Sequence, residues 1–223
     1  MLATAERWGG GAGERPFLPR AFSVLRAGAQ THELQFLLED VGPGSRRLTE
    51  LAPAEELNVL GPLGAPFQPP RESRGALLVG GGVGIAPLAI WQDELRAAGT
   101  HERVLLGFRD RAHAAGAALL SDPELATDDG SVGHHGLVTE LLARHAEEHV
   151  EVYACGPPPM LEAVRALCAE HELPAQLALE SGMACGYGAC FGCVVPTRSG
   201  YIRLCVDGPV LDADQLETVG GHR

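Results

Sequence analysis

Four of the six cysteines crowd into "MACGYGACFGCVVPTRSGYIRLC", residues 183–205: Cys185, Cys190, Cys193 and Cys205. Disulfides, a zinc site, an iron–sulfur cluster and plain buried thiols are the chemistries such a set could serve. The spacing is C-x4-C-x2-C, then eleven residues, then the fourth Cys. A C-x4-C-x2-C run with a distant fourth cysteine is the plant-type [2Fe–2S] pattern. A two-iron cluster sits in a tight loop whose backbone N–H groups point at sulfur, and interleaved glycines permit that curvature. Zinc also suits four thiolates, but structural zinc sites usually show two paired C-x2-C knuckles, and only one is present. The pattern favours the two-iron cluster over zinc, and zinc over disulfide-bonded or free thiols. Cys168 stands within a helical pattern and reads as a core residue.

A second chemistry is suggested by two glycine-bearing loops. "VGGGVGIAP" (79–87) joins an apolar run to a helical one, and Gly80, Gly82 and Gly84 are candidates to let backbone approach a pyrophosphate. The spacing departs from the usual dinucleotide fingerprint, so a plain strand–helix turn is the bland alternative. "YACGPPPM" (153–160) also follows a strand pattern and precedes a helix, and it offers Cys155 and Gly156. Open α/β sheets bind ligands beyond the carboxyl ends of their strands, so two such loops on one edge would shape one crevice. Cys155 is then either a small core residue or a thiol packed beside the ligand.

The elements that must position these residues follow from periodicity. Residues 1–72 are rich in Gly and Pro, with short apolar runs at 21–25, 33–39 and 56–60 that read as strands. "QPPRESRG" (68–75) reads as a linker. From 73 to 180 the pattern alternates. Strands are expected at 76–79, 103–108, 150–154 and 175–180, and helices at 87–98, 137–148 and 158–171. Pro87 falls in the first turn of the first of these helices and Gly99 just past its end. Such alternation makes a parallel sheet with helices on both faces. Residues 181–223 form a third unit, too small for its own core and expected to depend on a metal.

Composition limits the partners. The net charge of −12 argues against nucleic acid, which would want a basic patch. The most apolar stretch, 76–91, is short for a membrane span and is broken by glycines and a proline, so none is expected. No signal segment is visible at the start. The reading is cytoplasmic, where clustered cysteines more often bind metal than form disulfides.

Taken in order, "RAFS" (20–23), "GPLG" (61–64), "GGGVGIAP" (80–87) and "CGPPPM" (155–160) resemble the ferredoxin–NADP reductase superfamily. "TDDGSVGHHGLVTELL" (127–142) and "ESGMACGYGACFGCVVP" (180–196) tighten this to a resemblance to the electron-transfer subunits of class 1B dihydroorotate dehydrogenases. The resemblance implies a multidomain β plus α/β fold. Its parts are a partial antiparallel FAD-binding barrel (1–72), a parallel-sheet α/β NAD-binding domain (73–180) and a small [2Fe–2S] domain (181–223). It implies that Arg20 and Ser23, with Ala21 and Phe22 between them, contact the flavin. It also implies that Leu37, Leu38 and Glu39 lie on a strand passing the flavin, and that Gly44 and Ser45 stand at its pyrophosphate. Cys155 and Gly156 would lie near the nicotinamide. Ala21 replaces the usual proline and Ser45 the usual threonine.

The implied function is an electron-transfer flavoprotein of pyrimidine biosynthesis. It would work with an FMN-containing catalytic subunit, as a heterotetramer, to couple dihydroorotate oxidation to NAD reduction, and no side chain is needed as general acid or base. A diaphorase-type subunit of a sulfhydrogenase or of a transhydrogenating ferredoxin reductase is one rival. A zinc-stabilised nucleotide-binding module without flavin is the other. Arg109 and Arg111 could meet the 2′-phosphate of NADP, Asp110 would resist it, and the resemblance favours NAD. His134 and His135 are expected on a surface loop. Family members also carry strands before the "RAFS" position, so Met1 looks internal to the usual sequence. A misassigned start codon, with weak FAD binding by the chain as given, is the expectation.

Overall fold

The computed structural model describes residues 2–5, 18–28, 30–71, 74–146 and 149–219. Met1, on which the start-codon expectation turns, lies outside them. The front part holds β1 (Leu2–Ala5), β2 (Arg20–Ala21), β3 (Arg26–Gly28), β4 (Glu33–Gln35), α1 (Pro43–Thr49) and β5 (Leu57–Leu60). An antiparallel sheet runs β2-β1-β5, and β3 pairs with β4 as a separate hairpin. A small core gathers Phe22, Leu38, Leu51 and Leu57 around Leu48 of α1. The expected strand at 21–25 is broken here. Residues 22–24 are irregular, and Gln35 accepts the Leu25 N–H at 2.8 Å.

The second part contains β6 (Gly75–Gly81), α2 (Ile85–Ala97), β7 (Glu102–Phe108), β8 (Glu124–Thr127), β9 (His134–His135), α3 (Val138–Arg144), β10 (Val150–Cys155), α4 (Pro158–Glu170) and β11 (Ala175–Ala178). The tail adds β12 (Val194–Thr197), β13 (Gly200–Arg203) and β14 (Val210–Asp212). One seven-stranded sheet has the order β14-β11-β10-β6-β7-β8-β9, parallel throughout except for β14. Strands from β6 step outward in one direction and strands from β10 in the other. The order therefore reverses between β6 and β10, and at such a reversal open α/β sheets form their crevice beyond the strands' carboxyl ends.

Both faces of this sheet are covered, which is why its strands read as continuous apolar runs. Leu77, Val79, Leu105, Val152 and Leu177 face Leu141 and Leu142 of α3 and Leu161, Val164 and Cys168 of α4. Leu78, Val104, Leu106 and Tyr153 face Leu88, Trp91 and Leu95 of α2. Among the described residues the tail has no separate core: Cys193, Leu204, Cys205, Leu211 and Leu216 join the first of these layers.

Residues 68–71, expected as a linker, are strapped to the sheet by buried side chains. The Gln68 N–H donates to Gln176 Oε1 at 2.8 Å and the Arg71 N–H to Glu151 Oε2 at 2.8 Å, while Tyr153 donates its hydroxyl to the Gln68 carbonyl at 3.0 Å. The paired histidines fall on the short edge strand β9. His134 bonds Glu140 at 2.7 Å and His135 is exposed. No helix among the described residues is long and apolar enough to cross a membrane.

Candidate functional site

The front groove has a volume of about 370 Å³ and is lined by Arg20, Ala21, Phe22, Ser23, Leu37, Glu39, Gly44 and Ser45, with Val83, Ala86 and Glu180 from the sheet side. The irregular chain at 22–24 turns consecutive side chains toward it. Leu37, Leu38 and Glu39 are not on a strand as expected, because β4 ends at Gln35 and the chain beyond it is irregular; Leu37 and Glu39 line the groove, while Leu38 packs against Leu48. Arg20 donates to the Leu18 carbonyl at 2.6 Å and lies across Gly44, where a Cβ would come within 2.1 Å of its Nε. Glycine at 44 thus makes room for a guanidinium on the groove wall, a forked donor suited to phosphate. The Ser45 hydroxyl faces backbone instead, accepting from the N–H groups of Val41 and Gly42 at 2.9 and 3.1 Å.

The second cavity, of about 680 Å³, opens at the strand reversal. Gly81, Gly82 and Gly84 come from the β6–α2 loop, Gly156, Pro157 and Met160 from the β10–α4 loop, and Arg109 and Asp128 from the ends of β7 and β8. The two loops press together: a Cβ on Gly84 would lie 2.6 Å from the Cys155 carbonyl oxygen. Gly80 lies beneath the cavity, walled by Leu88 and Leu106. Cys155 is buried under the loop, and burial raises its thiol far above the ordinary range, so it is a neutral packing group. Of the two expected arginines, Arg109 faces the cavity. Arg111 is held by Ser131, whose hydroxyl accepts its N–H at 2.8 Å. Asp110 is occupied by His113 and by the N–H groups of Ala112 and His113, which hold its carboxyl below the usual range.

The two cavities share Glu39, Val83 and Glu180. Glu180 follows β11 on the same sheet edge as the loops, and desolvation by the surrounding walls raises its carboxyl pKa. It was not among the residues expected to form the site. An acid just past a parallel strand's carboxyl end was the available signal.

The cysteine loop fits thiolates through its backbone. Gly186, Gly188 and Phe191 have φ of 77°, 86° and 58°, a left-handed course that turns successive N–H groups inward to make an anion-binding concavity. The N–H groups of Cys190, Tyr187 and Ala189 point at the Cys185 sulfur and lower its pKa to about 6. The Gly192 N–H reaches Cys190 Sγ at 3.4 Å, and the Cys205 N–H reaches Cys193 Sγ at 3.5 Å. Burial, then the neighbouring Cys193 thiol, pushes Cys205 up to about 11, against the Gly188 N–H. All six cysteines are free thiols. Among the described residues, no group of three or more His, Cys, Asp or Glu side chains is gathered closely enough to hold a metal ion, the four cysteines included. Backbone N–H groups reach the sulfurs of Cys185, Cys190 and Cys193, a donor set that thiolate sulfur can accept.

The family described as the iron-sulfur cluster binding domain of dihydroorotate dehydrogenase B matches residues 180–217. The dihydroorotate dehydrogenase B (NAD+) electron transfer subunit of Geobacillus sp. (strain WCH70) is 37% identical over 209 residues, covering 90% of this chain and 80% of that protein. The chain belongs to the dihydroorotate dehydrogenase B electron transfer subunits. The homologue of this subunit in Aquifex aeolicus (strain VF5) is also 37% identical, over 206 residues, with the same coverage. Among solved structures, this family member resembles the NADH-dependent reduced ferredoxin–NADP oxidoreductase, with a TM-score of 0.79 and 27% identity over 90% of this chain and 75% of that one. Phthalate dioxygenase reductase shares the fold at a TM-score of 0.52 and 16% identity, over 84% of this chain and 80% of that one.

Proposed function

We propose that this chain carries electrons between a catalytic partner that oxidises dihydroorotate and NAD+, as a step of pyrimidine biosynthesis. The observation that carries the reading is the shared wall of Glu39, Val83 and Glu180 between the two cavities. It sets the front groove and the crevice at the strand reversal edge to edge, as the handover from nicotinamide to flavin would require. Arg20 would hold the FAD pyrophosphate, and Ser23 would offer its hydroxyl to the ring edge. Ala21, Phe22 and Leu37 would line the irregular chain beside it, with Leu38 packed behind and Gly44 and Ser45 at the α1 turn. Gly82, Gly84 and Gly156 would admit NAD at the reversal point, with Gly80 and Cys155 packed below. Cys185, Cys190, Cys193 and Cys205 would ligate the [2Fe–2S] cluster. Bound flavin converts the two-electron hydride of nicotinamide into single electrons for a cluster. Glu180 precedes Cys185 by five residues, which span at most roughly 18 Å, so the chain itself tethers the cysteine loop near the groove.

The division at 72 and 180 assigns FAD, NAD and the cluster to successive segments of the chain. The partner in this reading is an FMN-containing catalytic subunit in a heterotetramer, and the setting is the cytoplasm, where the thiols stay reduced. A second reading, a subunit of a transhydrogenating ferredoxin reductase, draws on the likeness to the NADH-dependent oxidoreductase. The test is copurification with a tagged catalytic subunit, followed by dihydroorotate-dependent NAD+ reduction and by iron, zinc and acid-labile sulfide analysis. Activity with matched iron and sulfide supports the proposal. Stoichiometric zinc without sulfide overturns the cluster, and a complex inactive on dihydroorotate but active with ferredoxin turns the function to the second reading.

A further inference from the structure

Arg203 ends β13 and touches the cysteine loop at two places. Its Nη1 donates to the Gly188 carbonyl, between Cys185 and Cys190, at 3.1 Å. Its guanidinium carbon stands 5.4 Å from the centroid of the Phe191 ring, between Cys190 and Cys193. A cation over an aromatic face at this range is attractive. Phe191 holds a left-handed backbone (φ 58°) that a bulky residue rarely adopts, so something must secure it. The backbone of Arg203 is tied in as well. It pairs with Val194, beside Cys193, and its carbonyl accepts the N–H groups of Val206 and Asp207 at 3.0 and 2.8 Å, closing the turn that carries Cys205. Asp207 Oδ2 accepts the Arg203 N–H at 2.9 Å and lies 3.6 Å from Nε.

We propose that Arg203 is a positioning residue that clamps the four-cysteine loop and, through its charge, sets how readily the cluster accepts an electron, with Asp207 as its partial counterweight. The inference rests on reading the four cysteines as [2Fe–2S] ligands. Four thiolates make the site anionic, and each electron accepted adds one negative charge. A nearby guanidinium therefore favours the reduced form, since net charge and hydrogen bonding around the sulfurs are levers on cluster potential. The forked side chain also bridges Gly188 and Phe191 at once, which a lysine ammonium cannot copy.

The test uses the full chain, anaerobically purified or reconstituted, with an EPR-monitored redox titration and the rate of cluster loss to an iron chelator. Arg203→Gln is expected to lower the midpoint and Asp207→Asn to raise it. Arg203→Lys is expected to keep the midpoint close to that of the unsubstituted protein while losing its cluster several-fold faster. A purely structural role would change cluster retention and leave the midpoints of surviving clusters alike, and that result overturns the proposal. So does an unshifted Asp207→Asn protein. Should Arg203→Gln hold no cluster, the other two variants decide. Unsubstituted protein lacking iron and sulfide overturns the cluster reading itself, an outcome separate from the failure of Arg203.

Discussion

At the scale of single residues, Cys185, Cys190, Cys193 and Cys205 stand close together in the chain with glycines between them, and the proposed reading makes them the ligands of one cluster. Replacing any one of the four by Ser is expected to abolish or destabilise the iron–sulfur absorbance. Cys168→Ser is expected to leave that spectrum unchanged at a cost of roughly 1 kcal/mol for the buried hydroxyl, read by denaturant titration. Glu180 had only its place past a strand's carboxyl end to mark it, because it is the sheet that brings it beside Val83 and Glu39. Its carboxyl pKa is raised in the folded chain, so the folded state binds its proton more tightly than the unfolded one. The stability this group contributes is therefore greatest at low pH and is lost as pH rises from the unfolded pKa through the folded one. Glu180 is nevertheless exposed to solvent, which weakens the effect, so Glu180→Gln is expected to raise the thermal midpoint at neutral pH only slightly, to flatten its rise on acidification, and to slow NADH oxidation by a small acceptor. A lower midpoint at pH 7 would refute the assignment of strain to this carboxylate.

At the scale of elements, length and burial decided what could be seen. β6, β7 and β10 are buried on both faces and appear in the sequence as unbroken apolar runs. β8 and β9 offer only four and two residues, and β14, the antiparallel edge, offers three, so no period could form. α1 was missed because Pro43, Gly44 and Ser45 spell a turn, yet proline is tolerated in a helix's first turn and Ser45 folds back to cap it. The expected helix at 137–148 ends at Arg144 in the described chain. The loops after β6 and β10 are the elements that make the crevice, and their fit is testable. Gly84→Ala would drive a Cβ into the Cys155 carbonyl at 2.6 Å, where backbone rather than a flexible side chain must yield. A destabilisation of about 1–3 kcal/mol is expected from overpacking. Calorimetry should also show weaker NAD binding, with the cluster spectrum intact. Unchanged NAD affinity would mean that the loop contact does not shape the crevice.

At the scale of the whole molecule, exposed apolar side chains in the cysteine-bearing unit bear on where the proposed catalytic partner would dock. Tyr201, Phe191 and Tyr187 are 78%, 64% and 63% exposed, and Val206 is 41% exposed, all within the unit that carries the four cysteines. Soluble monomers rarely leave large apolar groups clustered in water unless a partner covers them, and aromatic residues are enriched at the centres of interfaces. A partner seated here would dry the exposed rim around Cys190 and shorten the electron's path. The sulfur loop would then face the catalytic subunit while the crevice at the strand reversal stays open to NAD. Tyr201 lies on β13, outside the cysteine loop, and reaches neither cavity, so its removal should leave both intact. Tyr201→Ala is accordingly expected to weaken capture of the catalytic subunit by about tenfold or more, the loss of a moderate hot spot. NADH oxidation by a small acceptor should be unaffected, and dihydroorotate-dependent NAD+ reduction should recover at high subunit concentration. Wild-type affinity in Tyr201→Ala, measured by titrating the two subunits, would move the docking face away from the cluster.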